Sequence, residues 1–127
     1  MGLIECDEML IDSVLTCATA VHKELGPGLL ESVYEKALKI EFEEQKIQAD
    51  FQMDIPVSYK GKSLGIGFRA DVIVENQLLL ELKSVDSISK VHLAQIITYL
   101  KLTGIKRGYI LNFNTSLLKD GIKRVSI

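Results

Sequence analysis

The chain has 127 residues, 47% hydrophobic and 25% charged, with two cysteines and a formal net charge of −2. That length suits one domain over residues 1–127, and the ordinary globular composition argues against a disordered chain. No apolar run reaches the ~20 residues of a membrane span, and two cysteines build neither a disulfide framework nor a four-ligand zinc site.

The acidic opening MGLIECDEML lacks the basic stretch of a signal peptide, and Cys6 stands where a myristoylation signal expects Ser or Thr. A reducing cytoplasm is the expected compartment, with no membrane partner. Charge is uneven: residues 1–58 carry 12 acidic against 4 basic side chains, whereas residues 59–127 carry 5 against 11. A basic second half can attract phosphate locally, although lysines that merely solvate strand edges give the same count.

In chain order, a first helix is predicted from about Asp7 to Leu25, with Leu10, Val14, Cys17, Ala18, Val21 and Leu25 on one stripe. Gly26-Pro27-Gly28 stops it. A second helix follows from about Leu29 to Gln45, burying Leu30, Val33, Tyr34, Ala37 and Leu38 and solvating Glu35, Lys36, Lys39, Glu43 and Glu44. From Ile47 the pattern turns to strands, with a turn at Lys60-Gly61-Lys62 and a strand from about Leu64 to Val74. Glu75-Asn76-Gln77 leads into a strand over 78–84, and Ser87 or Ser89 caps a third helix ending near Gly104. Another strand covers 107–113, and a loop with Lys119-Asp120-Gly121 precedes a short last one. The order ααβββαββ indicates an α/β (α+β) fold, a mixed central sheet flanked by helices.

Inside this pattern, "DVIVENQLLLELKSV" carries Asp71, Glu81 and Lys83 among leucines and valines. Charges in a buried strand are costly unless paired, hydrogen-bonded or metal-bound. Glu81 and Lys83 are two apart, hence on one face with Cβ atoms about 7 Å apart, while Leu80 and Leu82 point to the other. Two carboxylates and an ammonium on one patch suit a hard cation such as Mg²⁺ or Mn²⁺ and a water nucleophile. A salt-bridged triad, with Arg69 pairing Asp71, would also account for them. For Asp71 to share the face of Glu81, the hairpin needs an odd loop or a bulge. A three-residue loop at Glu75-Asn76-Gln77, with one left-handed residue, sets Asp71 opposite Glu81. On the helices, Glu31 and Tyr34 are three apart, and Gln95 and Tyr99 four apart, each pair on one face.

The stretch "VHKELGPGLLESVY" resembles the signature of the small bacterial GxxExxY proteins, at Gly28, Glu31 and Tyr34. "FRADVIVENQLLLELKSV", "AQIITYLKLTG", and "LNFN" followed by "LLKDGIKR" are similar to the remainder of that family, so the likeness runs from about Leu10 to Val125. The family is assigned to the PD-(D/E)XK nuclease superfamily, which implies a restriction-endonuclease-like core and metal-dependent hydrolysis of phosphodiester bonds. On that resemblance Asp71, Glu81 and the Leu82 carbonyl hold Mg²⁺ or Mn²⁺ and Lys83 is the catalytic lysine. Gln95 and Tyr99 match a Q-x3-Y motif, and Glu31 adds a carboxylate from the helix. Ala70 stands where the superfamily's name has proline.

The leading expectation is a nuclease acting on nucleic acid, DNA before RNA, with His92 a weaker candidate near the site. The alternative is a catalytically silent module of the same fold that binds nucleic acid or a protein. So small a domain has little surface for sequence readout, which favours a homodimer or a protein partner.

Overall fold

A computed structural model describes residues 6–127. Residues 1–5, on which the signal-peptide and myristoylation readings partly rest, lie outside the described residues. Helix α1 (Glu8–Leu25) begins where the Asp7 carboxylate accepts from the Met9 N–H, and it ends at Gly26, whose φ is 72°. Helix α2 (Glu31–Glu44) follows, then β1 (Ala49–Tyr59), β2 (Lys62–Val74) and β3 (Leu78–Lys83). Ser89 caps α3 (Lys90–Thr103), and Gly104, left-handed at φ 78°, ends it. Strand β4 (Arg107–Asn112), a 3₁₀ turn (Leu118–Gly121) and β5 (Ile122–Ser126) complete the order. The sequence of helices and strands is the predicted one; the 3₁₀ turn replaces part of an expected loop. Among the described residues no helix is long and apolar enough to cross a membrane.

The five strands form one sheet in the order β1-β2-β3-β4-β5, antiparallel except for β3 and β4, which α3 connects in parallel. Such a central strand is covered on both faces and needs apolar residues at every position. Leu78, Leu80 and Leu82 pack with Leu10, Val14, Tyr34 and Leu38 of α1 and α2. Leu79 packs on the opposite side with Ile96 and Leu100 of α3. The expected helical stripes are narrower than predicted. Leu25, Leu30 and Val33 are exposed, while α2 buries the expected Tyr34 and Leu38 and, beyond them, Phe42. Leu30 precedes the first turn of α2, and Val33 lies about 100° around the helix from Tyr34.

Tyr34 fixes the entry to α2. Its hydroxyl donates to the Gly26 carbonyl at 2.6 Å and accepts from the Leu29 N–H at 3.1 Å, while its ring stacks on Phe113 at 4.4 Å. Gly28 in the same turn has φ 95°, which favours glycine.

Strands β1 and β2 change faces midway. Phe51 and Val72 belong to the core under α1 and α2, whereas Ile55, Phe68 and Ala70 belong to the core under α3. The switch falls at Gln52, left-handed at φ 53°, and at Asp71, which sits between the pairs Phe51↔Val72 and Met53↔Ala70. The β2–β3 ladder also stops here, its last pair being Val72↔Leu80. Asp71 thus occupies a corner, at the end of regular pairing.

Candidate active site

The β2–β3 hairpin pairs Val74↔Leu78, Ile73↔Leu79 and Val72↔Leu80, leaving the three-residue loop Glu75-Asn76-Gln77. Two of its residues are left-handed, Glu75 at φ 49° and Asn76 at φ 57°, where the sequence predicted one. The register sets Asp71 against Glu81. Of the alternatives that parity allowed, the odd loop is present, and regular β2–β3 pairing also ends before Asp71.

Each carboxylate then bonds to main chain at the other's position. Asp71 Oδ2 accepts from the Leu82 N–H at 2.8 Å, and Glu81 Oε2 accepts from the Asp71 N–H at 3.3 Å. Glu81 is only 7% exposed; Asp71 and Lys83 are half-buried. Burial, and then the neighbouring Asp71 charge, push the Glu81 carboxyl up to about 7. Burial raises Asp71 as well, against the Leu82 N–H and the Lys83 charge, which lower it. Among the described residues Lys83 has no carboxylate within 4.0 Å. Arg69 pairs with its cross-strand neighbour Asp54 at 2.8 Å. The alternative of a salt-bridged triad completed by Arg69 is therefore not what folds.

Glu31 reaches the far end of β3, where its Oε2 accepts from the Ser84 N–H at 3.2 Å while Ser84 Oγ donates to the Leu29 carbonyl at 2.8 Å. Its charge adds to the load on Glu81. Tyr99 stacks on Phe68 with ring centroids 3.8 Å apart; burial, then Glu81 and Asp71, raise its phenol. Gln95, one turn earlier, is exposed and makes no hydrogen bond among the described residues. His92 is occupied in the capping box, its Nδ1 accepting from the Ser89 N–H at 3.1 Å.

Two residues escaped the sequence reading. Gln52 Nε2 donates to Glu35 Oε1 at 2.5 Å and lies 3.5 Å from Asp71 Oδ1, bridging α2 to the corner. Glu35, predicted to be merely solvated, is half-buried and its charge raises Asp71. A left-handed glutamine inside a strand is strained by about 1 kcal/mol, and its surroundings must hold it. Gln52→Gly is expected to relieve that strain and keep or raise the melting temperature. If the amide aligns Asp71, the same variant weakens Mn²⁺ binding severalfold in calorimetry. Unchanged affinity would reduce Gln52 to a structural residue.

The cluster suits a hard cation. The Asp71 and Glu31 charges raise Glu81 and the Glu35 charge raises Asp71, with Lys83 offsetting both as a cation. Among the described residues no three His, Cys, Asp or Glu side chains converge on one point. A donor set of two carboxylates plus main-chain oxygen fits Mg²⁺ or Mn²⁺, which retain waters, better than a closed zinc site.

Residues 8–125 match the family model described as the PD-(D/E)XK nuclease superfamily. No curated protein and no solved structure matches the chain. The match covers nearly the whole sequence, from the start of α1 into β5: the chain belongs to the PD-(D/E)XK nuclease superfamily.

Proposed function

We propose that this protein is a metal-dependent nuclease hydrolysing phosphodiester bonds of nucleic acid, DNA before RNA. The observation that carries the reading is the corner itself. Asp71 and Glu81 come from two strands, each bonds to main chain beside the other, and Lys83 shares the face of Glu81 without an ion-pair partner among the described residues. In this reading Asp71, Glu81 and the Leu82 carbonyl hold Mg²⁺ or Mn²⁺. A bound divalent cation supplies positive charge to the phosphoryl oxygens and favours ionisation of water.

The chain's own residues do the rest. Lys83, as an ammonium, orients the attacking water and eases the loss of its proton to solvent. The water oxygen bonds to phosphorus as its proton passes to solvent, the bond to the leaving sugar oxygen breaks, and that oxygen is protonated from solvent. Tyr99, set on Phe68, positions a phosphate oxygen or Lys83, and Gln95 on the exposed turn before it is free to meet substrate. Glu31 contributes a further carboxylate from α2. We assign the chain more finely to the GxxExxY proteins, on Gly28, Glu31 and Tyr34, whose distinct tasks at the entry to α2 give that spacing a physical reason. Residues 1–127 are read as one nuclease domain, and the two free cysteines, Cys6 and Cys17, suit a reducing cytoplasm.

The test joins a cleavage assay on mixed nucleic acids, with Mg²⁺ and Mn²⁺, to calorimetry. Asp71→Asn and Glu81→Gln should each abolish most Mn²⁺ binding and all cleavage. Unchanged binding in both would remove the metal site from these residues. Wild-type Mn²⁺ binding without turnover on any substrate would favour the silent binding module.

A further inference from the structure

Beyond the corner at Gln52 and Asp71, β1 and β2 continue as a two-stranded ribbon with no third strand among the described residues. Every residue from Ser58 to Gly67 is exposed, including Tyr59 at 62%, Leu64 at 64% and Ile66 at 59%. Two strands alone are marginal in water, yet this pair is well fitted: Val57 lies over Gly67 with no room for a Cβ. The ribbon is an arm, and its large apolar side chains lack cover.

Its charge says what would cover it. Residues 55–70 contain Lys60, Lys62 and Arg69 and no acidic residue, although the chain as a whole is acidic. Arg69 is engaged by Asp54, so the charge available to a partner is that of Lys60 and Lys62 at the tip. The Lys60 ammonium stands 5.5 Å from the Tyr59 ring centroid, so a cation and an aromatic ring are presented together. The base of the arm is held at the site by Phe68, stacked on Tyr99. Fully extended, the strand from Lys62 to Asp71 would cover about 30 Å, against roughly 34–36 Å for one helical turn of a duplex. The register shifts along it and Gly65 at φ 85° make that length an upper bound. A major groove admits a two-stranded ribbon.

We infer that this arm grips a nucleic-acid duplex, Lys60 and Lys62 on phosphates and Tyr59, Leu64 and Ile66 in the groove. This rests on the nuclease reading for the identity of the site, and it names a double-stranded substrate. Because β2 runs from the arm into Asp71, seating the arm sets the backbone against the carboxylates. The arm also supplies binding surface that so small a domain otherwise lacks.

The experiment measures anisotropy of a labelled DNA duplex of about three helical turns. Ca²⁺ replaces Mg²⁺ for binding, and cleavage in Mg²⁺ and Mn²⁺ is scored in parallel. Lys60→Ala with Lys62→Ala should weaken binding tenfold or more at low salt and make the log–log salt slope shallower by about 1.8. Its melting temperature should be unchanged, since neither lysine touches the core. Equal affinity and slope in wild type and the double variant would overturn the arm, as would a wild type that binds no duplex. A wild-type dimer that dissociates on Leu64→Ser with Ile66→Ser would assign the ribbon to a second copy and overturn it as well. The two readings fail separately. Arm-dependent binding without cleavage supports the arm and removes the nuclease, whereas cleavage with unchanged KM in the double variant does the reverse.

Discussion

Lys83→Ala is expected to lower cleavage by about 10²–10⁴-fold while the protein folds and still binds Mn²⁺. The expectation comes from what Lys83 does not do. A lysine that neutralised a buried carboxylate by direct pairing would leave it stranded when truncated, at a cost of about 3–5 kcal/mol. Here the ammonium has no carboxylate within 4.0 Å among the described residues, and the Asp71 and Glu81 oxygens are held by main-chain N–H groups instead. Its field still lowers both carboxyls, so the variant should bind Mn²⁺ somewhat more weakly at acidic pH. Lys83→Arg should not restore activity, because a planar guanidinium fork does not reproduce the donor geometry of a compact ammonium at the attacking water. A folded and fully active Lys83→Ala protein would end the catalytic assignment. A variant that unfolds would return Lys83 to a structural role.

The corner was legible because strand alternation has a period of two. A one-residue change in the loop moves Asp71 to the other face, so an odd loop follows from requiring the two carboxylates to meet. The leucine run 78–82 and the caps at Gly26, Ser89 and Gly104 were equally readable, each being local. What failed depends on partners remote in sequence. Whether Arg69 meets Asp71 or Asp54 is decided by the β1–β2 register, since both carboxylates lie within reach of a long side chain. Gln52 resembles any polar strand residue until β1 is laid beside Asp71, and no sequence cue marks its positive φ. Glu35 looked solvated because helical periodicity faces it away from the α2 core stripe, and that side is where the corner closes. Leu30 and Val33 fit the helical spacing of Tyr34 and Leu38, but α2 starts only at Glu31, after Leu30, and Val33 in its first turn lies about 100° around from Tyr34 and stays exposed.

Without metal, stability should fall as pH rises through the neutral range, the reverse of a protein held by paired carboxylates. Glu81 is raised to about 7 in the folded state by burial and by Asp71, against about 4.3 for a free glutamate. The folded protein therefore keeps a proton that the unfolded chain releases. Its contribution is full below pH ~4.3 and is lost as pH climbs through 7, a change of roughly 3 kcal/mol. Asp71 is shifted in the same direction. Melting temperatures in EDTA should drop between pH 5 and 8, and Glu81→Gln, which cannot ionise, should flatten most of that slope. Mn²⁺ should oppose the drop, since a cation at 100 times its dissociation constant contributes about 2.7 kcal/mol. Cation and proton compete for the same oxygens, so Mn²⁺ affinity should climb across this interval and level off above pH ~7.5. A level wild-type melting profile in EDTA, or a Glu81→Gln profile as steep as wild type, would mean that Glu81 is ionised in the fold without cost. The cluster would then have no electrostatic need of a metal.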